Sequence, residues 1–399
     1  MTNAGAQRDM GKRWVRRRHI TMCAFKSFFR DCPDDIRDIC DQELTSLVRV
    51  LRQSSPGGHE PTKDITYFVA RSMWRLIYGR GRLPDASTCE RLRILSTKMD
   101  DYTKNSGPFS ALDRFPMLKR FVAGSMTRYQ DAVQFMNRFC DDCEVERRAH
   151  TGADQSHDLM TYMMRGARTL TTEDERSLGL NEDLLFSGVG DLIRAGTESP
   201  SLLLLWVCLM LAKYEDVQRK MYEELEYLRD SEADIPTICE ASADRMPYSH
   251  AVVYETIRYC SIVPFLKRRC LSDAIVGGHR LPAGTNIIIN NYAISHDPRR
   301  WHDPEVFRPE RFLDQDRMFD ASQLEQFLPF GIGKRRCMGE EIGKLLPFAA
   351  IATLVLNFRL SAPDPIDLSP SFGITLTPKK QPLVFTPRSP GSKQPESNS

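Results

Sequence analysis

Phe330-Gly331-Ile332-Gly333-Lys334-Arg335-Arg336-Cys337-Met338-Gly339 is the stretch on which the reading of this chain turns. One cysteine sits in a loop with two glycines before it and one after it. An arginine lies two positions upstream, and an apolar run suited to a helix follows. Gly331, Gly333 and Gly339 allow turn conformations and close backbone approach that side chains would forbid. A helix beginning just past Cys337 would aim N–H groups and its positive dipole end at the sulfur, which favours thiolate over thiol. The arrangement suits a thiolate facing a large flat metal cofactor. The plainer alternative is a buried cysteine in a Gly-rich surface loop.

Around this stretch the composition is that of a globular protein. The chain has 399 residues, 41% hydrophobic and 27% charged, ample material for a large core. A net charge of +2 gives no basis for nucleic-acid binding driven by bulk charge. Eleven cysteines, an odd number scattered without a framework, fit a reducing compartment. Cys140 and Cys143 form a C-x-x-C pair with no second pair at zinc spacing, and read as solvated helix positions rather than metal ligands. No stretch is expected to reach the length of a membrane span. The longest apolar run, Leu202 to Ala212, reads as the core of a buried helix.

Helical periodicity dominates the rest. Apolar residues recur at three and four spacing over Asp34–Arg52, Ile65–Ile77, Ser125–Arg148 and Ser249–Tyr259. A very long helix is expected from about Asn181 to Lys213, and another from about Glu215 to Asp230. Strands are expected at Ala274–His279 and Thr285–Asn290, joined as a hairpin through Leu281-Pro282-Ala283-Gly284, with a second short β region between Phe372 and Phe385. Ser54–Pro61 and Thr151–His157 read as loops. The fold class that follows is mainly α with a minor β part late in the chain. One domain spans residues 11–388, and a Pro/Ser-rich tail, 389–399, reads as disordered.

Three further motifs stand out. Glu255 and Arg258 lie three apart on one expected helix and so share a face, as a surface salt bridge would. Phe307-Arg308-Pro309-Glu310-Arg311-Phe312 follows later in the chain. The long helix contains Ala195-Gly196-Thr197-Glu198-Ser199-Pro200, where proline supplies no N–H and leaves the Gly196 carbonyl without its helical donor. Near the start, Trp14 and Arg18 stand one helical turn apart inside Lys12-Arg13-Trp14-Val15-Arg16-Arg17-Arg18-His19. Out of context that cluster would read as a nuclear-import signal.

Taken in this order, the motifs resemble the cytochromes P450, the haem-thiolate monooxygenases, over nearly the whole chain. The resemblance implies the family's fold, one domain despite its length, and haem b held by Cys337 as axial iron ligand. A thiolate there pushes electron density onto iron and favours O–O cleavage. It implies that Arg335, Trp14, Arg18 and Arg268 meet haem propionates, with Lys12, Arg13, Arg16 and Arg17 fanning outward. Phe330, Gly331 and Gly339 shape the loop beside the sulfur. Glu255, Arg258 and Arg311 form a structural triad. Gly196, Glu198 and Ser199 match the oxygen-activation segment, in which an acid and a hydroxyl relay protons. Most members carry threonine at the position of Ser199, and Pro200 is a further departure, as is Pro347, expected to interrupt the helix after the cysteine.

The closest flavour, in Ala293-Ile294-Ser295-His296-Asp297-Pro298 and Tyr214–Leu225, is that of microsomal animal enzymes. That implies O2, a lipophilic small-molecule substrate such as a steroid, fatty acid or xenobiotic, and NADPH-cytochrome P450 reductase as electron donor. The reductase would dock on Lys334, Arg336, Arg13 and Arg17. Substrate contacts are implied at Ser187–Ala195, Val263–Leu266 and Phe372-Gly373. The implied location is the cytosolic face of the endoplasmic reticulum membrane, with membrane association in a full-length form. The Trp-x-x-x-Arg helix normally lies well inside the family's sequences, so the chain reads as N-terminally truncated. A haem-binding fragment without turnover is therefore the alternative. A reductase-independent peroxide isomerase is a third reading, disfavoured because the acid–hydroxyl pair is retained.

Overall fold

Helical periodicity becomes helix along most of the chain. The computed structural model describes residues 11–79, 83–105, 123–150, 158–168, 182–231 and 244–388. Helices α1 (Gly11–Asp31), α2 (Pro33–Arg52), α3 (Thr62–Tyr78), α4 (Ala86–Asn105), α5 (Ala123–His150) and α6 (Leu159–Arg168) precede the central α7 (Glu182–Lys213). Then come α8 (Glu215–Ser231) and α9 (Pro247–Cys260). Among the described residues the remaining elements are four short two-stranded sheets, two short helices, α10 (Asn291–Ser295) and α11 (Leu324–Phe327), short 3-10 turns at Pro309–Phe312, Ala321–Gln323 and Gly333–Arg335, and a long α12 (Glu340–Asn357). The loop expected at Thr151–His157 and the tail 389–399 lie outside the described residues.

Sequence and packing agree closely in α2. Pro33 opens it, Asp34 and Asp35 fill its first turn, and Arg49 and Arg52 its last, each on the favourable end of the helix dipole. Ile36, Ile39, Leu44, Leu47 and Leu51 bury one stripe. The core gathers round α7, whose main neighbours are α3 and α12. Every residue from Leu202 to Ala212 is buried. By length and apolar composition Gly188–Lys213 would reach across a membrane, which amends the expectation that no stretch does; 78% of its apolar window lies inside the protein, so it serves as a core helix. Gln218 on α8 fastens its end: the side-chain amide donates to Leu211 O at 2.8 Å and Leu360 O at 2.9 Å, and accepts from Leu360 N at 2.8 Å.

The long helix expected over Pro200 is continuous, and the break expected at Pro347 does not occur: α7 runs on through Pro200, and α12 through Pro347. Each proline removes one internal donor, and tertiary packing on both sides keeps the helix whole.

The β pairing differs from expectation. β1 (Phe265–Arg269) pairs antiparallel with β4 (Asn286–Asn290), and β2 (Ala274–Val276) with β3 (His279–Leu281). The tight turn is therefore Gly277-Gly278, both with positive φ, and not Leu281–Gly284. Adjacent glycines at a two-residue turn are the stronger hairpin signal. β1 escaped the sequence reading because Lys267, Arg268 and Arg269 break its apolar pattern. Late in the chain β5 (Phe358–Ser361) pairs with β8 (Val384–Pro387), and β6 (Ser371–Phe372) with β7 (Leu376–Thr377), in and around the expected second β region.

Candidate functional site

The cysteine loop is built from backbone. α11 stops at Leu328, whose φ of +50° turns the chain, and the Gly331 N–H donates to Leu328 O at 2.9 Å. Gly331 and Gly333 both take positive φ, +71° and +67°, which L side chains adopt only under strain. Cys337 N–H donates to Phe330 O at 2.8 Å, closing the loop. α12 then starts immediately, with Gly339 as its N-cap. The helix thus begins just past Cys337, as expected, with its N-terminal end toward that residue. The Cys337 side chain is exposed at its tip, yet the loop crowds its flanks. That loss of water pushes the thiol up; the Gly339 N–H, Arg18 and Arg336 oppose the shift, and Glu340 adds to it. The Phe330 ring lies against Gly343, 3.6 Å from where a side chain would begin.

α1 supplies a cationic wall beside this loop. The Arg335 guanidinium lies over the buried Trp14 ring at 3.6 Å, and that of Arg18 at 5.8 Å. Arg18 donates to Arg336 O at 2.6 Å, so α1 holds the cysteine loop directly. Arg17 does not fan outward. It is buried, and its guanidinium covers Gly188 of α7. Trp14, Arg17, Arg18, Leu192 and Met338 line one cleft where α1, α7 and the residue after Cys337 meet. The spacing Trp14, Arg17, Thr21, Ala24, Phe28 is a buried helical stripe, and could have placed Arg17 inward. Its burial also removes Arg17 from the expected docking surface.

On α7, Ala195 and Ser199 stand exposed one turn apart, on a helix otherwise largely buried. The Ser199 hydroxyl donates to Ala195 O at 3.0 Å. Gly196 faces the other way, against Met73 of α3. A β-carbon there would lie 2.4 Å from Met73 Cε and 3.0 Å from Sδ, so this glycine lets α3 and α7 approach. The Glu198 carboxylate accepts from the Thr375 hydroxyl at 3.0 Å, which ties α7 to the β6–β7 turn. The Trp206 indole donates to Leu376 O at 3.0 Å, a second tie to the same turn. Thr375 and Met73 were not legible as site neighbours, because both come from segments distant in sequence.

Glu255, Arg258 and Arg311 come together in the structure. Arg258 is bidentate on Glu255, Nε to Oε2 at 2.7 Å and Nη2 to Oε1 at 2.9 Å. Arg311 Nε reaches the same Oε1 at 3.0 Å, and Arg308 N–H reaches it at 2.8 Å. The pair is fully buried, so the surface salt bridge that the spacing alone suggests is not what forms. The remaining guanidinium protons go to carbonyls: Arg258 to Ser295 O and Pro304 O, Arg311 to His302 O and Val306 O. Burial pulls Arg311 below the usual guanidinium range, and Glu255 resists the shift.

Arg268 lies on β1, half-buried, and donates to Lys267 O at 3.0 Å. Cys140 is half-buried, and Cys143 is not solvated. Cys143 is buried and accepts from the Trp74 indole at 3.3 Å, and burial pushes its thiol up to about 12. No disulfide joins the described cysteines, and no cluster of three or more His, Cys, Asp or Glu suited to a metal occurs among the described residues.

Comparison with known proteins gives a consistent answer. A family model described as Cytochrome P450 matches residues 3–385. Cytochrome P450 1A1 of Sparus aurata is 26% identical over 384 residues, covering 93% of this chain and 73% of the relative. Cytochrome P450 1B1 of Rattus norvegicus is 29% identical over 384 residues, covering 92% and 69%. A solved zebrafish cytochrome P450 with progesterone superimposes with a TM-score of 0.78 at 22% identity, over 95% of this chain and 84% of the other.

Proposed function

This chain belongs to the cytochrome P450 family, whose members are haem-dependent monooxygenases, and from that premise we propose that it inserts one atom of O2 into a lipophilic organic substrate. The single observation that carries the reading is the Cys337 loop itself, closed by Cys337 N–H on Phe330 O, set directly before Gly339 at the start of α12, and held from α1 by Arg18 on the neighbouring Arg336 O.

The residues fit an iron porphyrin. The sulfur stands exposed at the tip of a glycine-shaped loop, guanidinium groups gather round Trp14 beside it, and Ala195 and Ser199 break the burial of a core helix. Cys337 would ligate iron, while Trp14, Arg18 and Arg335 would hold the propionates of haem b. Arg268, on β1, would be a further member of that set. When bound, the haem supplies dioxygen binding and reductive O–O cleavage, which a thiolate ligand favours.

The chain supplies the rest. Thr375 orients the Glu198 carboxyl, from which a proton is delivered along α7. The Ser199 hydroxyl gives its own proton to Ala195 O, so its lone pairs face outward to accept. Gly196, held close to Met73, keeps the α7 backbone near α3 at this point. Glu255, Arg258 and Arg311 brace the segment that leads into the cysteine loop. Val263 and Phe372 are exposed apolar residues in two of the segments read as substrate-contacting, which supports a lipophilic substrate. Electrons come from NADPH-cytochrome P450 reductase, at the cytosolic face of the endoplasmic reticulum membrane. Exposed Lys334 and Arg336 support docking of an acidic partner there.

The test is turnover by the hemin-loaded chain with reductase and NADPH, across a panel of steroids, fatty acids and aromatic xenobiotics. NADPH consumption coupled to a hydroxylated product supports the reading. Loaded protein that consumes no NADPH with any member of the panel contradicts it.

A further inference from the structure

Glu340 is the first residue of α12 and stands three positions after the sulfur. An acid in the first turn suits the helix dipole. It also places a negative charge beside a group that must itself become negative. Its side chain is largely buried, 14% exposed, and cations hold both oxygens. Arg336 donates to Oε2 through Nε at 2.7 Å, with Nη2 at 2.6 Å. Lys344 Nζ donates to Oε1 at 2.6 Å. Its ammonium stands 5.3 Å from the Phe330 ring centre.

The loop is therefore gripped from two sides. Arg18 takes the Arg336 carbonyl from α1, while Glu340 takes the Arg336 side chain and links it to Lys344 on the next turn of α12. Both links on α12 and its approach are four residues apart, the spacing at which side chains meet on a helix.

We propose that Glu340 is a positioning residue that sets the charge balance at the Cys337 sulfur, by holding Arg336 and Lys344 in place and by its own charge. The inference rests on Cys337 being the iron ligand. Glu340 disfavours added negative charge on the iron–sulfur unit, and so favours the ferric state. Removing its charge while keeping its shape leaves two cations uncompensated and makes reduction easier. Removing the Lys344 charge leaves Glu340 less compensated and makes reduction harder. A merely structural clamp would give no such reversal of sign.

The experiment is a spectroelectrochemical titration of the hemin-loaded full chain, with a carbon-monoxide difference spectrum on each sample. Glu340→Gln keeps the thiolate-type CO band and shifts the reduction equilibrium about tenfold toward ferrous, 59 mV for one electron. Lys344→Met shifts it the opposite way, and Glu340→Asp stays within about threefold of the wild type. Shifts of the same sign in Glu340→Gln and Lys344→Met, or neither exceeding twofold with the band retained, overturn the proposal. Should Glu340→Gln fail to load, the sign from Lys344→Met decides alone, since that side chain is partly exposed and reports the same balance. A wild type without the thiolate band instead overturns the ligand reading, and this inference with it.

Discussion

Replacing Glu255 by glutamine removes one charge and changes almost no volume. The carboxylate it replaces is fully buried and accepts from Arg258 twice, from Arg311 and from the Arg308 N–H. The variant leaves two guanidinium groups, 0% and 6% exposed, with no counter-charge at this point. Breaking a buried pair by removing one partner costs about 3–5 kcal/mol. A domain has about 5–15 kcal/mol in all, so the loss is a large share of the total. The carbonyls of Ser295, Pro304, His302 and Val306 still receive both arginines, which keeps the estimate at the low end of that range. Urea unfolding of the haem-free chain, followed by tryptophan fluorescence, measures it, because Trp301 lies 5.4 Å from the Arg258 guanidinium and reports on this region. The expected result is a lower midpoint at unchanged slope. A loss under about 1 kcal/mol would refute the claim that this triad fixes the region, and would mean the cations relax to water or to other acceptors.

Arg18→Gln should lower hemin retention without changing far-UV helicity, because the side chain holds the Arg336 carbonyl from outside the loop; hemin off-rates measure it, and an unchanged rate contradicts the grip. Gly196→Ala should cost less in a Met73→Ala background than in the wild type, by at least about 1 kcal/mol of coupling, since the new β-carbon would meet Met73 Cε at 2.4 Å. Additive losses in urea titrations of that cycle would show the contact to be slack. Pro200→Ala returns an N–H to the Gly196 carbonyl inside a helix that is already continuous, and should raise stability by about 1–3 kcal/mol. A drop in the urea midpoint would mean that the proline fits a local geometry alanine does not reproduce.

Much of the fold was legible because periodicity and burial coincide. α2, α3, α7 and α9 fall where apolar spacing puts them, within a few residues at each end. The β pairing was not, since register depends on partners far away: nothing local to Phe265–Arg269 announces that it pairs with Asn286–Asn290. Pro347 in α12 misled for a related reason, while the helix expected through Pro200 forms. A lost internal hydrogen bond is a local cost, and Leu202–Ala212 and Phe348–Leu356 supply tertiary burial on a scale that exceeds it. The cysteine loop was readable as a motif because glycine positions and the following helix are short-range features. Four side chains at or around the candidate site had their places missed: Arg17 and Glu340 near the loop, and Met73 and Thr375 against α7. Three of them act through contacts across the fold, and Glu340 takes its meaning from two cations, each one turn away.

The carbon-monoxide difference spectrum of the hemin-loaded, reduced protein is the most direct measurement of what Cys337 does. The wild type should give the thiolate-type band, and Cys337→Ala should bind haem weakly and lose that band. An identical spectrum from the two proteins would contradict the assignment of Cys337 as the iron ligand.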